Sequence, residues 1–150
     1  SFASDTDERA LVERSAALAD VDDNIREFAN GYDTVLGERG VTVSGGQKQR
    51  ISIARALMKE AAILILDDSV SAVDTDTERV ILDNLRQTRK GKTTLLVAHR
   101  VTTVQNLDKI VYLDGGKVLD VGTHEQLVAR CDEYRNMVEL QKLDEEEDNA

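Results

Sequence analysis

VSGGQKQR (residues 43–50) and ILILDD (residues 63–68) together decide how this chain folds. A Ser-Gly-Gly turn that opens a helix exposes backbone N–H groups, a hydroxyl and the positive end of a helix dipole. That combination suits an anion such as a nucleotide phosphate. Ser44 is the natural N-cap of the helix. Four β-branched or leucine residues, Ile63, Leu64, Ile65 and Leu66, then carry Asp67 and Asp68 to the C-terminal end of a strand. Two carboxylates at such a strand end suit a magnesium ion held beside phosphates. The order joins a phosphate-contacting loop to a metal-binding strand end and points to nucleotide chemistry.

Working outward, the helix that begins at Ser44 runs to about Glu60, with Ile51, Ala54, Leu57 and Met58 on one buried stripe. Lys48 and Arg50 are expected to face solvent. Upstream, residues 5–19 read as an amphipathic helix, with Leu11 and Leu18 seven apart, and residues 21–28 as a second, short helix. Asp7, Asp22 and Asp23 sit near helix starts, where a carboxylate complements the dipole, and need no catalytic role. Downstream, Asp74 or Asp76 can cap a helix carrying Val80, Ile81 and Leu85, which Gly91 can end. TLLVA (residues 94–98) is expected to be a buried strand, with His99 at its C-terminal end, where open parallel sheets place ligands. Asp114-Gly115-Gly116 between two apolar runs is a hairpin signal. Thr123 with Gln126 forms a capping box for the last helix, which leaves His124 and Glu125 as surface residues.

In order and spacing these residues closely resemble the ATP-binding cassette (ABC) ATPases. VSGGQKQR resembles the signature motif, ILILDD the Walker B strand, Ser71-Ala72-Val73-Asp74 the D-loop, and His99 the switch histidine. The resemblance covers residues 31–143. GYDTVLGERG (residues 31–40) resembles the loop that in exporters of this family touches the membrane-spanning domains, so the branch is exporter-like. No G-x-x-x-x-G-K-[ST] occurs in these 150 residues. Gly91-Lys92-Thr93 is a decoy: Arg86 stands where the first glycine would fall, and the triplet precedes a strand instead of following one. The chain therefore resembles the C-terminal part of a nucleotide-binding domain. The implied fold is α/β: a partial, P-loop NTPase-like parallel sheet from Walker B onward, with a small helical signature subdomain. Its expected segments are 1–60 for the helical subdomain, 61–143 for the ATPase core, and 144–150 for a disordered acidic tail.

The resemblance implies two nucleotide-binding domains arranged head to tail, each ATP lying between one domain's P-loop and the other's signature. Ser44, Gly45, Gly46 and Gln47 would contact the γ-phosphate of ATP held by the partner. Asp67 would orient Mg²⁺ through water, Asp68 would take the general-base position, and His99 would contact the γ-phosphate of the chain's own ATP. Asp74 and its loop would link the two sites, and Gly37, Glu38, Arg39 and Gly40 would pass closure to transmembrane domains. At position 68 the family usually carries glutamate. Aspartate there resembles the degenerate-site subunit of a heterodimeric exporter, whose intact signature completes the partner's competent site.

Composition agrees. With 41% hydrophobic residues, 150 residues can bury a core. A net charge of −10 argues against nucleic-acid wrapping, which lowers the alternative of a non-transport ABC ATPase acting on DNA or ribosomes. A docking fragment is the other alternative. No apolar run approaches the roughly 20 residues of a membrane helix. The expected place is the cytoplasmic face of the cell membrane, reached through attached or associated transmembrane domains. The single Cys131 cannot form an internal disulfide and is expected on a helix face. Alone, the chain is expected to hydrolyse no ATP.

Overall fold

The computed structural model describes residues 2–37 and 42–148. Its contacts divide the chain into two compact units between Val97 and Ala98. The first unit begins with α1 (Phe2–Leu18) and α2 (Asp22–Arg26), followed by a 3₁₀ turn (Gly31–Asp33). It continues with α3 (Gly45–Leu57), β1 (Ile63–Asp67), α4 (Thr75–Thr88) and β2 (Thr93–Val97). β1 and β2 pair in parallel, from Ile63 opposite Thr93 to Asp67 opposite Val97, so β1–α4–β2 is a βαβ crossover.

Period 2 in β1 sends Leu64 and Leu66 to one face, where they join Ile53, Leu57, Ile81 and Leu85 in the core. α3 and α4 supply those last four residues, so the signature helix packs into the same core as the Walker B-like strand. The buried stripe of α3 contains Ala54 and Leu57 as expected, and also Ile53, while Ile51 and Met58 are only half-buried. On α4, Ile81 and Leu85 are buried but Val80 is exposed.

The opposite face of the sheet differs from the expectation of fully buried strands. Ile63 and Ile65 of β1 are 62% and 61% exposed, and Leu95 and Val97 of β2 are 50% and 43% exposed. Parallel register puts Ile65 beside Leu95 and Asp67 beside Val97 on that face. Among the described residues of this unit, α3 and α4 pack on the other side.

Asp74 is the cap of α4: its carboxylate accepts from the Thr77 backbone N–H at 3.0 Å. Gly91, at φ +77°, follows the helix and begins the turn into β2. Lys92 there reaches back to the Glu60 carbonyl at 3.1 Å, and buried Arg89 binds the carbonyls of Ala61 and Thr93, each at 3.1 Å. The Gly91-Lys92-Thr93 triplet is thus a helix-to-strand turn.

The second unit contains α5 (Val101–Val104), β3 (Ile110–Asp114), β4 (Lys117–Gly122), α6 (His124–Arg130) and α7 (Asp132–Asp148). β3 and β4 form an antiparallel hairpin through Gly115 and Gly116, both at positive φ as a two-residue primed turn requires. The Thr123–Gln126 capping box is present. Glu125 is exposed, but His124 is half-buried, with Nδ1 2.9 Å from the Tyr134 hydroxyl, so it is not a free surface residue. Cys131 is buried at the junction of α6 and α7. The acidic run expected to be disordered from residue 144 instead continues α7 to Asp148; residues 149 and 150 lie outside the described residues. None of the described helices is long and apolar enough to cross a membrane.

Candidate functional site

Ser44 caps α3 more completely than a lone serine would. Its Oγ accepts from the Gln47 N–H at 3.2 Å, and the Gln47 Oε1 accepts from the Ser44 N–H at 2.9 Å. This is a capping box, signalled by the S-x-x-Q spacing, and it turns the Gln47 carboxamide back onto the helix end. The first-turn amides of Gly45 and Gly46 have no intrahelical acceptor and head the positive end of the helix.

Ser44, Gly45, Gly46, Arg50, Ala72, Val73 and Asp74 line one hollow of about 330 Å³. Two sequence motifs, the signature turn and the D-loop-like segment, are therefore neighbours in space. The Asp74 carboxylate is committed to the α4 cap, and the Thr77 N–H it accepts holds its pKa below the usual carboxylate range. Arg50 departs from the expectation of a solvent-facing residue, since its side chain is only 15% exposed. It binds the Asp20 carbonyl through Nη1, while its Nε is buried with no hydrogen-bond partner.

Asp67 and Asp68 stand exposed at the C-terminal end of β1. Asp68 adopts φ +49°, the left-handed region in which Asp and Asn are the best-tolerated non-glycine residues. Its N–H donates to the Val97 carbonyl at 3.0 Å, and its own carbonyl accepts from Ser71 Oγ at 3.0 Å. Gln49, which the sequence did not single out, adds a third contact: its Nε2 donates to the Asp68 carbonyl at 3.2 Å.

The strand-end carboxylates suit magnesium, which takes hard oxygen ligands and often only one or two protein carboxylates beside substrate phosphates. Among the described residues no three His, Cys, Asp or Glu cluster as a self-sufficient metal cage.

His99 falls in the second unit, two residues beyond the end of β2, and is exposed. Gln141 of α7 donates to the His99 carbonyl at 2.8 Å and accepts from the Val101 N–H at 2.8 Å, so one side chain brackets the segment that carries the histidine. Nothing in the local sequence signals a contact 42 positions away.

In the GYDT segment, the Tyr32 hydroxyl donates to Asp22 Oδ1 at 2.5 Å, and Arg26 Nε meets the same carboxylate at 2.9 Å. The Arg26 hydrogen bond foremost, and then the phenol, hold the Asp22 carboxyl below its usual range; burial and the Asp22 bond push the Tyr32 phenol up. The Arg9 guanidinium lies 4.7 Å from the Tyr32 ring centroid. Beside this network is an apolar hollow of about 170 Å³ lined by Val12, Ile25, Phe28, Tyr32, Ile51 and Met58, among others. Gly37 is exposed; Glu38, Arg39 and Gly40 lie outside the described residues.

Residues 3–71 match the family model described as ABC transporter. The chain is 48% identical over 132 residues to the probable multidrug resistance ABC transporter ATP-binding/permease protein YheI of Bacillus subtilis (strain 168), covering 88% of this chain and 23% of that protein. It is 45% identical over 132 residues to the ATP-dependent lipid A-core flippase of Alkalilimnicola ehrlichii (strain ATCC BAA-1101 / DSM 17681 / MLHE-1), covering 88% of this chain and 22% of the flippase. Among solved structures, a bacterial Atm1-family ABC exporter with ATP bound superposes with a TM-score of 0.83 at 42% identity, covering 89% of this chain and 24% of the exporter chain. The chain thus spans under a quarter of the length of each of these proteins.

Proposed function

The chain belongs to the ABC transporter family, and from that premise we propose that it is the signature-to-C-terminus portion of an exporter's ATP-binding domain, coupling ATP binding and hydrolysis to transmembrane export. The observation that carries the proposal is the shared hollow, in which Ser44, Gly45 and Gly46 meet the Ala72–Asp74 stretch next to the end of a βαβ strand.

In this reading Ser44, Gly45, Gly46 and Gln47 receive the γ-phosphate of an ATP held by a second nucleotide-binding domain. In this reading Gln47, whose carboxamide closes the capping box, acts mainly by shaping the cap, while the glycine amides and the Ser44 hydroxyl face the anion. Asp67 would hold Mg²⁺ through water, and the ion would neutralise charge developing on the phosphates. Asp68 occupies the general-base position and His99 the γ-phosphate contact of the chain's own site. Asp74 acts through its cap, fixing the D-loop that links the sites. Phosphoryl transfer asks chiefly for positioning and charge stabilisation, which suits a site built from helix ends and short loops.

Gly37, Glu38, Arg39 and Gly40 would touch the transmembrane domains, with the Tyr32–Asp22–Arg26 network bracing the segment that leads to them. The uncovered apolar face of β1 and β2 supports a domain in which further elements pack against that face. The aspartate at 68 supports a heterodimer in which this subunit's own site is degenerate. The location is the cytoplasmic face of the membrane.

The test is Gly45→Asp in the complete assembly. A carboxylate at the signature turn blocks backbone approach and repels phosphate, so ATP turnover should collapse while assembly persists. Normal turnover in an assembled Gly45→Asp complex would refute the site. The isolated 150 residues should bind ATP weakly, by calorimetry, and release no phosphate above background.

A further inference from the structure

We infer that Gln49 is a positioning residue that couples the signature turn to Asp68 and to the loop after it; the inference rests on the site proposed above. One carboxamide makes three hydrogen bonds to that segment. Its Nε2 donates to the Asp68 carbonyl at 3.2 Å and to Ser71 Oγ at 2.9 Å, and its Oε1 accepts from the Ala72 N–H at 2.9 Å. Both ends of the amide are used at once. Glutamate lacks the donor, lysine lacks the acceptor, and asparagine is one methylene short, so the glutamine is chemically specific here.

The segment it grips needs holding. Asp68 sits at φ +49°, a backbone state that persists for a non-glycine residue only when its surroundings over-determine it. The Val97 carbonyl fixes the Asp68 N–H, and Gln49 with Ser71 fixes its carbonyl. Gln49 is on the first turns of α3, the helix whose N-terminus is the signature. A shift of α3 when the partner's phosphate docks at Ser44–Gly46 therefore pulls directly on the Asp68 peptide and on Ala72. Gln49 touches no nucleotide in this arrangement; it acts through the groups that do.

The experiment compares Gln49→Met, Ser71→Ala, their double variant and Gly45→Asp in the complete, reconstituted exporter containing this chain, with MgATP as the probe. Gln49→Met should lower kcat about tenfold or more, as expected when the signature turn and the Ser71–Ala72 loop that complete the partner's site are slightly misplaced, and leave KM for ATP within about threefold. Because Gln49 and Ser71 hold the same carbonyl and each other, their losses should not multiply in the double variant. Should Gln49→Met fail to assemble, the isosteric Gln49→Glu, which sets an oxygen against the Asp68 carbonyl, should show the same split. Wild-type kcat, a loss confined to KM, or fully multiplicative losses would each overturn the role of Gln49 if Gly45→Asp is inactive. An active Gly45→Asp complex would instead overturn the underlying site assignment.

Discussion

A Cβ added to Gly46 would lie 2.8 Å from the Ala72 carbonyl oxygen, a separation real Cβ atoms do not adopt, whereas one on Gly45 would lie an ordinary 3.7 Å from the Ala72 Cβ. The two glycines of the signature turn therefore have different jobs. Gly46 permits the helix end to pack on the Ala72 backbone, and Gly45 leaves room for whatever enters the hollow. Gly46→Ala should destabilise the fold by about 1–3 kcal/mol, the usual range for overpacking against atoms that cannot yield. Gly45→Ala should leave stability nearly unchanged. Chemical denaturation of the two variants checks this, and equal stabilities would refute the division.

Asp74 is predicted to give the fold part of its acid sensitivity. Its carboxylate is acidified by the Thr77 N–H that it accepts, so its folded value lies below the unfolded one. A depressed carboxyl contributes stability above the unfolded value, and that contribution is lost as pH falls through the folded value. Asp74→Asn keeps an acceptor but carries no charge. Its melting temperature should fall less steeply than that of the wild type between about pH 5 and pH 2. Asp74→Ala, with no acceptor, should melt lower at every pH. An acid limb of unchanged slope in Asp74→Asn would break the link.

These two sites show what was legible in the sequence. Caps, turns and the hairpin rest on residues three or four apart, and Ser44, Thr123, Gly91 and Gly115-Gly116 behave as their spacing foretells. The contacts of Gln49 and Gln141 span 19 to 42 positions and are made by residue types common on any helix surface, so no local pattern marks them. Arg50 was missed for a similar reason. Only its packing against Asp20, 30 residues upstream, reveals that it is not a solvent residue. The apolar runs of β1 and β2 read as fully buried strands, but periodicity cannot say which elements cover each face. The acidic end of α7 illustrates the limit of charge as a guide. Its repulsion suggested disorder, yet Val138 and Tyr134, buried in the second unit's core, anchor the helix from which it continues.

Tyr32 is predicted to make the first unit sensitive to alkali. Its phenol is raised by burial and by the Asp22 hydrogen bond, so the folded state holds the proton more tightly than the unfolded chain. That contribution is complete below the ordinary tyrosine value of about 10 and is lost as pH rises beyond it. Tyr32→Phe removes both the bond and the titration. It should be less stable than wild type at neutral pH, and the gap should narrow above about pH 10. Melting curves across that range decide it; a constant gap would mean that the Tyr32–Asp22 bond is not the source.

Asp68 allows the degenerate-site reading to be separated from an ordinary active site. Aspartate is one methylene shorter than the glutamate usual in the family, which withdraws the carboxylate by about 1.5 Å, one carbon–carbon bond. A misplacement of about 1 Å can cost on the order of a hundredfold in rate, so Asp68 should contribute little as a base. The backbone makes the test clean. At φ +49° asparagine is tolerated as well as aspartate, so Asp68→Asn removes the charge without disturbing the bonds to Val97, Ser71 and Gln49. In a reconstituted heterodimer, Asp68→Asn should keep most ATPase activity, while neutralising the equivalent carboxylate of the partner should abolish it. Loss of all hydrolysis in Asp68→Asn alone would make Asp68 a working base, and the shorter side chain would then have to be offset by a closer approach of the β1 end to the phosphate.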